Sequence, residues 1–124
     1  MGLDMNLMTN IDDNGLKTIA EWHNAYDILS YFTQFRDWEV NGENYDDPIY
    51  LRKEYMMKLY SDCRDILTHD MKPENSVIPH NNTRRVIQRY YNDVLMTFTQ
   101  LYPIFNGKDH EKYDDLEFIL FWSN

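Results

Sequence analysis

The sequence predicts a mostly α, α+β fold with about three core helices and short N-terminal and C-terminal strands that can pair. Three observations lead there. Apolar residues recur every three or four positions over 16–36, 51–67 and 87–105; residues 3–8 alternate at period 2; and the chain closes on a bulky apolar run, Leu116 to Trp122. With 124 residues, 43% hydrophobic and 27% charged, and only 4 Gly and 4 Pro, the chain suits one small globular domain over 1–124 and excludes disordered or collagen-like classes.

Leu3, Met5 and Leu7 alternate with Asp4 and Asn6, which predicts a first strand ending in the polar turn Asn10 to Gly15. From Leu16 to about Arg36, two sets at helical spacing predict one long helix: Leu16, Ile19, Trp22, Tyr26 and Leu29, then Ala25, Ile28, Phe32 and Phe35. Residues 38–48 read as an acidic loop closed by Pro48. Pro48 suits the first turn of a second helix with Asp47 as its cap, and the stripe from Leu51 to Leu67 carries that helix to about Thr68. Residues 69–82 form a long connection with room for a short extended segment around Val77-Ile78. A third helix follows from Thr83 to about Tyr102, and Asn106-Gly107 ends it. The last apolar run reads as a strand that satisfies its backbone against the first.

Twenty-one acidic against 12 basic side chains give a net charge of −9, which repels nucleic acid and anionic membranes and favours basic partners. A single cysteine, Cys63, excludes an internal disulfide and cysteine-rich zinc sites, and it points to a reducing compartment. The opening residues have no basic, apolar leader pattern, and the run Phe118 to Trp122 falls far short of the ~18 residues that cross a bilayer. A cytoplasmic protein without membrane attachment is expected.

Asn10, Asp12, Asn14, Gly15 and Glu21 have the spacing of a calcium loop, but Asn stands at its first position and Lys17 where an aliphatic belongs, so a helix-entry turn is the plainer reading. The histidines, His23, His69, His80 and His110, show no metal-ligand spacing. His80, Arg84, Arg85 and Arg89 gather at a predicted helix N-terminus. Their counter-charge is either the chain's own acidic loop or a bound anion. Cys63 lies on an apolar stripe and reads as a small core residue rather than a nucleophile, and Trp22 is likewise spaced as core. No catalytic residue, metal or cofactor is predicted.

The opening Met1-Gly2-Leu3-Asp4-Met5-Asn6 resembles that of a family of small uncharacterised phage and bacterial proteins that begin Met-Gly-Leu-Asp-Met-Tyr. The run Glu21 to Ile28, the segment Leu59 to Leu67 around Cys63, Ile78-Pro79, Arg89 to Asp93 and the aromatic end Phe118 to Ser123 are similar to that family's motifs in the same order. Asn6 departs from the family's Tyr, and its Gly-Phe-Phe-Phe-Gly segment has no counterpart around Asn81 to Arg85. Members are sometimes labelled kinases; this chain has no Gly-rich phosphate loop. The resemblance implies a phage or mobile-element context, with the host cytoplasm as location, and supplies no activity.

Taken together, these features predict a non-enzymatic, phage-type accessory protein that inhibits a host enzyme or defence complex. Its contact residues are Asp37, Glu39, Glu43, Asp46 and Asp47, which can mimic nucleic acid toward a basic groove. Direct nucleic-acid binding is not expected. The alternative is a nucleotide or small-molecule sponge with Trp22, His80, Arg84, Arg85, Arg89, Tyr90 and Tyr91 as a basic-aromatic pocket. A twofold homodimer through the open edges of the terminal strands, near Phe118, Leu120 and Trp122, is the simplest closed assembly.

Overall fold

The computed structural model describes residues 2–10, 15–36, 48–78 and 84–123, with side chains from 87 onward in the last helix. Strand β1 (Asp4–Thr9) leads into β2 (Lys17–His23), helix α1 (Tyr26–Thr33), strand β3 (Ile49–Leu51), helices α2 (Lys53–Leu67) and α3 (Arg84–Phe105), and strand β4 (Phe118–Ser123). The strands form one antiparallel sheet in the order β2-β1-β4-β3. The fold is therefore α+β, with three helices among the described residues. The terminal strands pair as their sequences predict, Asp4 opposite Ser123 and Thr9 opposite Phe118.

One face of the sheet is apolar and buried. Met5 and Leu7, Ala20 and Trp22, Ile49 and Leu51, and Phe118 and Leu120 all join one cluster with Ile28 and Phe32 of α1, Met56, Leu59, Cys63 and Ile66 of α2, and Tyr90, Val94, Leu101 and Ile104 of α3. Alternation at period 2 puts Asp4, Asn6, Glu21 and His23 on the other face, as expected of a sheet with one wet side. There His23 Nδ1 lies 2.6 Å from Asp4 Oδ1 across the strands, both exposed.

The long helix predicted over 16–36 is two elements. Its helical spacing fails on burial: Leu16 is 44% and Tyr26 46% exposed, while Ala20 and Trp22 alternate with exposed Glu21 and His23. Beside the apolar face of β1, that alternation completes a hairpin, and tertiary pairing overrides the 3.6-residue pattern. Asn24 then stops the strand with a left-handed φ of 59°. Its amide donates to Leu3 O at 2.7 Å and its Oδ1 accepts from Leu3 N at 2.9 Å. A Cβ at Gly2 would overlap the Asn24 side chain, so the residues of the opening motif have structural work in holding the hairpin mouth.

The second predicted helix also starts later. Ile49 and Leu51 point inward around exposed Tyr50 and pair with β4, so Pro48 precedes an edge strand and α2 begins at Lys53. Asp47, expected as the cap, precedes a strand rather than a helix. The connection after α2 holds a 3-10 turn, Pro73–Asn75, in place of an extended segment. It is pinned by buried Asp62, which accepts from Val77 N at 2.8 Å and from Lys58 Nζ at 2.9 Å. Helix α3 ends where Asn106-Gly107 predicts: a Cβ at Gly107 would lie 2.6 Å from the Pro103 backbone.

The terminal strands form no two-stranded ribbon. Strand β4 is flanked on both sides, and Phe118 and Leu120 are fully buried, so the basis for dimerisation through its edge is gone. Among the described residues the sheet's edges are β2 and β3. Among the described residues no helix is long and apolar enough to cross a membrane.

Candidate binding groove beside the β3 edge

An open groove of about 780 Å³ runs along β3, within the size range of ligand-binding clefts. Phe35, Tyr55, Leu116 and Phe118 supply apolar wall, Pro48, Tyr50 and Leu51 the strand side, and Arg52, Lys53, Glu54 and Glu117 the charges. Phe35 is fixed from two directions: it stacks on Tyr55 with centroids 4.0 Å apart and 8° between planes, and it meets Tyr31 edge-on at 5.2 Å. Tyr31 is itself anchored, its hydroxyl donating to Tyr55 O at 2.6 Å. Partial burial pushes the Tyr31 hydroxyl up to about 12, so it remains a neutral donor.

Both cations at the groove have acidic partners. Lys53 Nζ donates to Asp114 Oδ1 at 2.6 Å and lies 6.0 Å from the Phe105 centroid. The same bond holds the Asp114 carboxyl below its ordinary value. Arg52 lies 3.7 Å from Glu54 in a solvent-exposed pair. Tyr50, at 65% exposure, stands out from the strand with its ring available. The arrangement offers stacking and apolar contact.

The predicted contact residues Asp37, Glu39, Glu43, Asp46 and Asp47 lie outside the described residues, and so do residues 11–14 of the candidate calcium loop. Phe35 and Pro48, which stand before and after it in the sequence, line the groove.

The alternative basic-aromatic pocket loses its stacking rings. Trp22 and Tyr90 are each 0% exposed. The Trp22 indole N–H donates to Thr97 Oγ1 at 2.9 Å, and Thr97 Oγ1 donates to Asp93 O at 2.7 Å. The Tyr90 hydroxyl donates to Ile78 O at 3.1 Å, and burial pushes it up to about 12. Both rings serve the core, Trp22 through the alternation of β2 rather than the helical spacing that marks it as core in the sequence. Tyr91 is half-buried and meets Tyr90 edge-on at 5.8 Å; Arg89 is exposed. His80 and the side chains of Arg84 and Arg85 lie outside the described residues.

Cys63 is fully buried, and burial, followed by the charge of Asp62, pushes its thiol well above the ordinary range, so it is not a thiolate at neutral pH. Asp93 was not singled out by spacing. It is 6% exposed, and burial, reinforced by Asp27 and opposed by Arg89, pushes its carboxyl up to about 6. The signal available in sequence was an i,i+4 Arg89–Asp93 pair on a face shared with core Tyr90 and Val94. The groove residues Phe35, Tyr50 and Tyr55 were missed as a set because they meet only after β3 pairs with β4.

No protein-family model, curated protein or solved structure matches this chain.

Proposed function

We propose that the chain is an acidic accessory binding protein of the phage type, which inhibits a host enzyme or defence complex by occupying a basic surface, and that the β3 groove and the segment 37–47 form its contact surface. The observation that carries the reading is the coincidence of two features. An open groove with fixed aromatic wall is lined by Phe35 and Pro48, and between them in sequence, after Arg36, residues 37–47 carry five carboxylates, Asp37, Glu39, Glu43, Asp46 and Asp47, and no Lys or Arg. Such a surface draws cationic partners by long-range steering while the aromatic wall supplies short-range contact. The phage context rests on the resemblance of the opening and of the motifs that follow it.

The test is paired capture from host lysate at low ionic strength with the wild-type chain and with a variant carrying all five acids as Lys, followed by an activity assay of the captured host protein. The expected result is a host protein retained by the wild type alone and inhibited by it. Equal capture by both chains, or capture without inhibition, would overturn the reading.

A further inference from the structure

We propose that the solvent face of α3 docks a second copy of this chain, helix against antiparallel helix, across a twofold axis at Thr99. The surface is separate from the acidic contact surface described above and shares no residue with it.

An exposed helix face ordinarily carries charge. Helix α2 follows that rule, with Glu54, Lys58 and Arg64 exposed along it. Helix α3 does not: from Val94 to Gly107 there is no Asp, Glu, Lys or Arg, in a chain of which 27% is charged. What this stretch exposes is apolar, Leu95 at 52%, Met96 at 38% and Tyr102 at 46%. Elsewhere an exposed apolar side chain stands beside charge, as Tyr26 does next to Asp27 and Met57 next to Lys58.

The order of the residues selects the occupant. Exposed positions recur three and four residues to either side of Thr99, the spacing of one seam along a helix. Met96 and Tyr102 lie three before and three after it, Leu95 and Pro103 four, and Asn92 and Asn106 seven. A twofold axis at Thr99 therefore sets thioether against phenol ring, leucine against proline and amide against amide, each pair made twice, as an isologous interface requires. The Thr99 hydroxyl is bonded within the helix, to Leu95 O at 2.8 Å, so its polar hydrogen needs no partner at the axis. A second copy matches this order by symmetry alone.

Charge agrees with that choice. Each chain carries −9, so two copies can meet only where their acids are kept apart, and the charge-free stretch of α3 is such a place. From Asn92 to Asn106 the seam is about 21 Å long, roughly four helical turns. It buries less than the ~800 Å² per partner of a standard interface, so the dimer exchanges with monomer at micromolar concentrations.

The test is sedimentation velocity of the full chain from about 5 to 500 µM, in about 0.05 and 0.5 M NaCl, which give weak and strong screening. The expected result is a mass that climbs from 15.1 kDa toward twice that value, and does so at lower concentration in the higher salt, because salt screens the like charges and leaves the apolar seam. Thr99→Lys sets two ammonium groups face to face at the axis and should weaken association at least about tenfold. At an exposed helical position it leaves the fold intact.

Register is read from a mixture. Met96→Lys and Tyr102→Glu should each weaken self-association. Together they form a mixed dimer that keeps one native contact of Met96 with Tyr102 and sets the introduced Lys against the introduced Glu at the other. The equimolar mixture should therefore associate at least about fivefold more tightly than either variant alone. A wild-type chain that stays at 15.1 kDa under all these conditions would overturn the proposal and leave the face to a foreign helix. So would association that weakens with salt, association that Thr99→Lys leaves unchanged, or a mixture no tighter than its two variants.

Discussion

At the β2 edge the backbone of Glu21 is held by Gln100 from α3, and the next residue, Trp22, is sealed into the core with its indole bonded to Thr97 on the same helix. At the β3 edge the strand is only Ile49–Leu51, Tyr50 projects into solvent, and a groove takes the place of a helix. One sheet therefore ends in two ways. Where α3 covers the edge, side chains supply the missing hydrogen bonds and the strand is bound to the core by packing. At β3, a short strand preceded by proline limits indiscriminate pairing, and of its three residues only Tyr50 is exposed.

The largest expected effect contrasts the central residues of the two edges. Trp22→Ala removes a fully buried ring that packs edge-on against Phe32 at 5.6 Å, and it leaves Thr97 without its donor. It should cost about 3–5 kcal/mol in urea unfolding. Tyr50→Ala, at the exposed edge, should stay within about 0.5 kcal/mol of wild type. Comparable losses at the two positions would mean that β3 is as firmly covered as β2.

A smaller effect follows from pH. The Asp93 carboxyl sits one turn before Thr97 on the helix that holds β2, and its folded value of about 6 exceeds the ordinary 3.8. Between these values the folded state binds the extra proton, so this group's contribution is complete below about pH 4 and is lost as pH rises through 6. Solvent screening reduces the loss to about 1–2 kcal/mol. Asp93→Asn should therefore gain stability relative to wild type as pH goes from 4 to 7. An unchanging difference between the two chains across that range would show that the carboxyl is not desolvated. Amide exchange should report the loss in β2 rather than in β3, because α3 seats the former.

Much of this architecture was legible in the sequence, and the illegible parts have a common cause. Helices α2 and α3 were read from stripes whose members, such as Leu59, Cys63 and Ile66 or Tyr90, Val94 and Leu101, are buried as spaced. The pairing of β1 with β4 was legible because neither apolar run could be satisfied alone. The segments that failed are those where a local pattern admits two periods. Leu16, Ile19, Trp22 and Tyr26 match a helix, Ala20 and Trp22 match a strand, and only the neighbouring face of β1 decides between them. Ile49-Tyr50-Leu51 is too short to show any period, so Pro48 was assigned to a helix start and the β3 edge went unseen. The groove was beyond reach for the same reason: its walls, Phe35, Tyr55 and Leu116, are distant in sequence and converge through that unseen strand.

The smallest expected effect tests the closure of the β2 edge itself. Gln100→Ala removes one acceptor and one donor from Glu21, at 2.5 Å for the bond from its N–H. Water can replace both partners at this exposed position, so the stability cost should be only about 1 kcal/mol. The structural consequence should be more specific than the energetic one. The Glu21 amide, protected in the wild type by a side chain rather than by a strand, should exchange with solvent faster, while the amides of β3 keep their rates. Replacement by Gln100→Glu retains the acceptor and loses the donor, and should restore part of the Glu21 protection. With the edge uncovered, Lys17–His23 becomes a free strand of seven residues, and light scattering should show a mass that rises above 15.1 kDa with concentration for Gln100→Ala more than for wild type. If Glu21 exchange and mass are both unchanged, the clamp has no role in closing the edge, and the contrast between the two ends of the sheet reduces to the packing of Trp22.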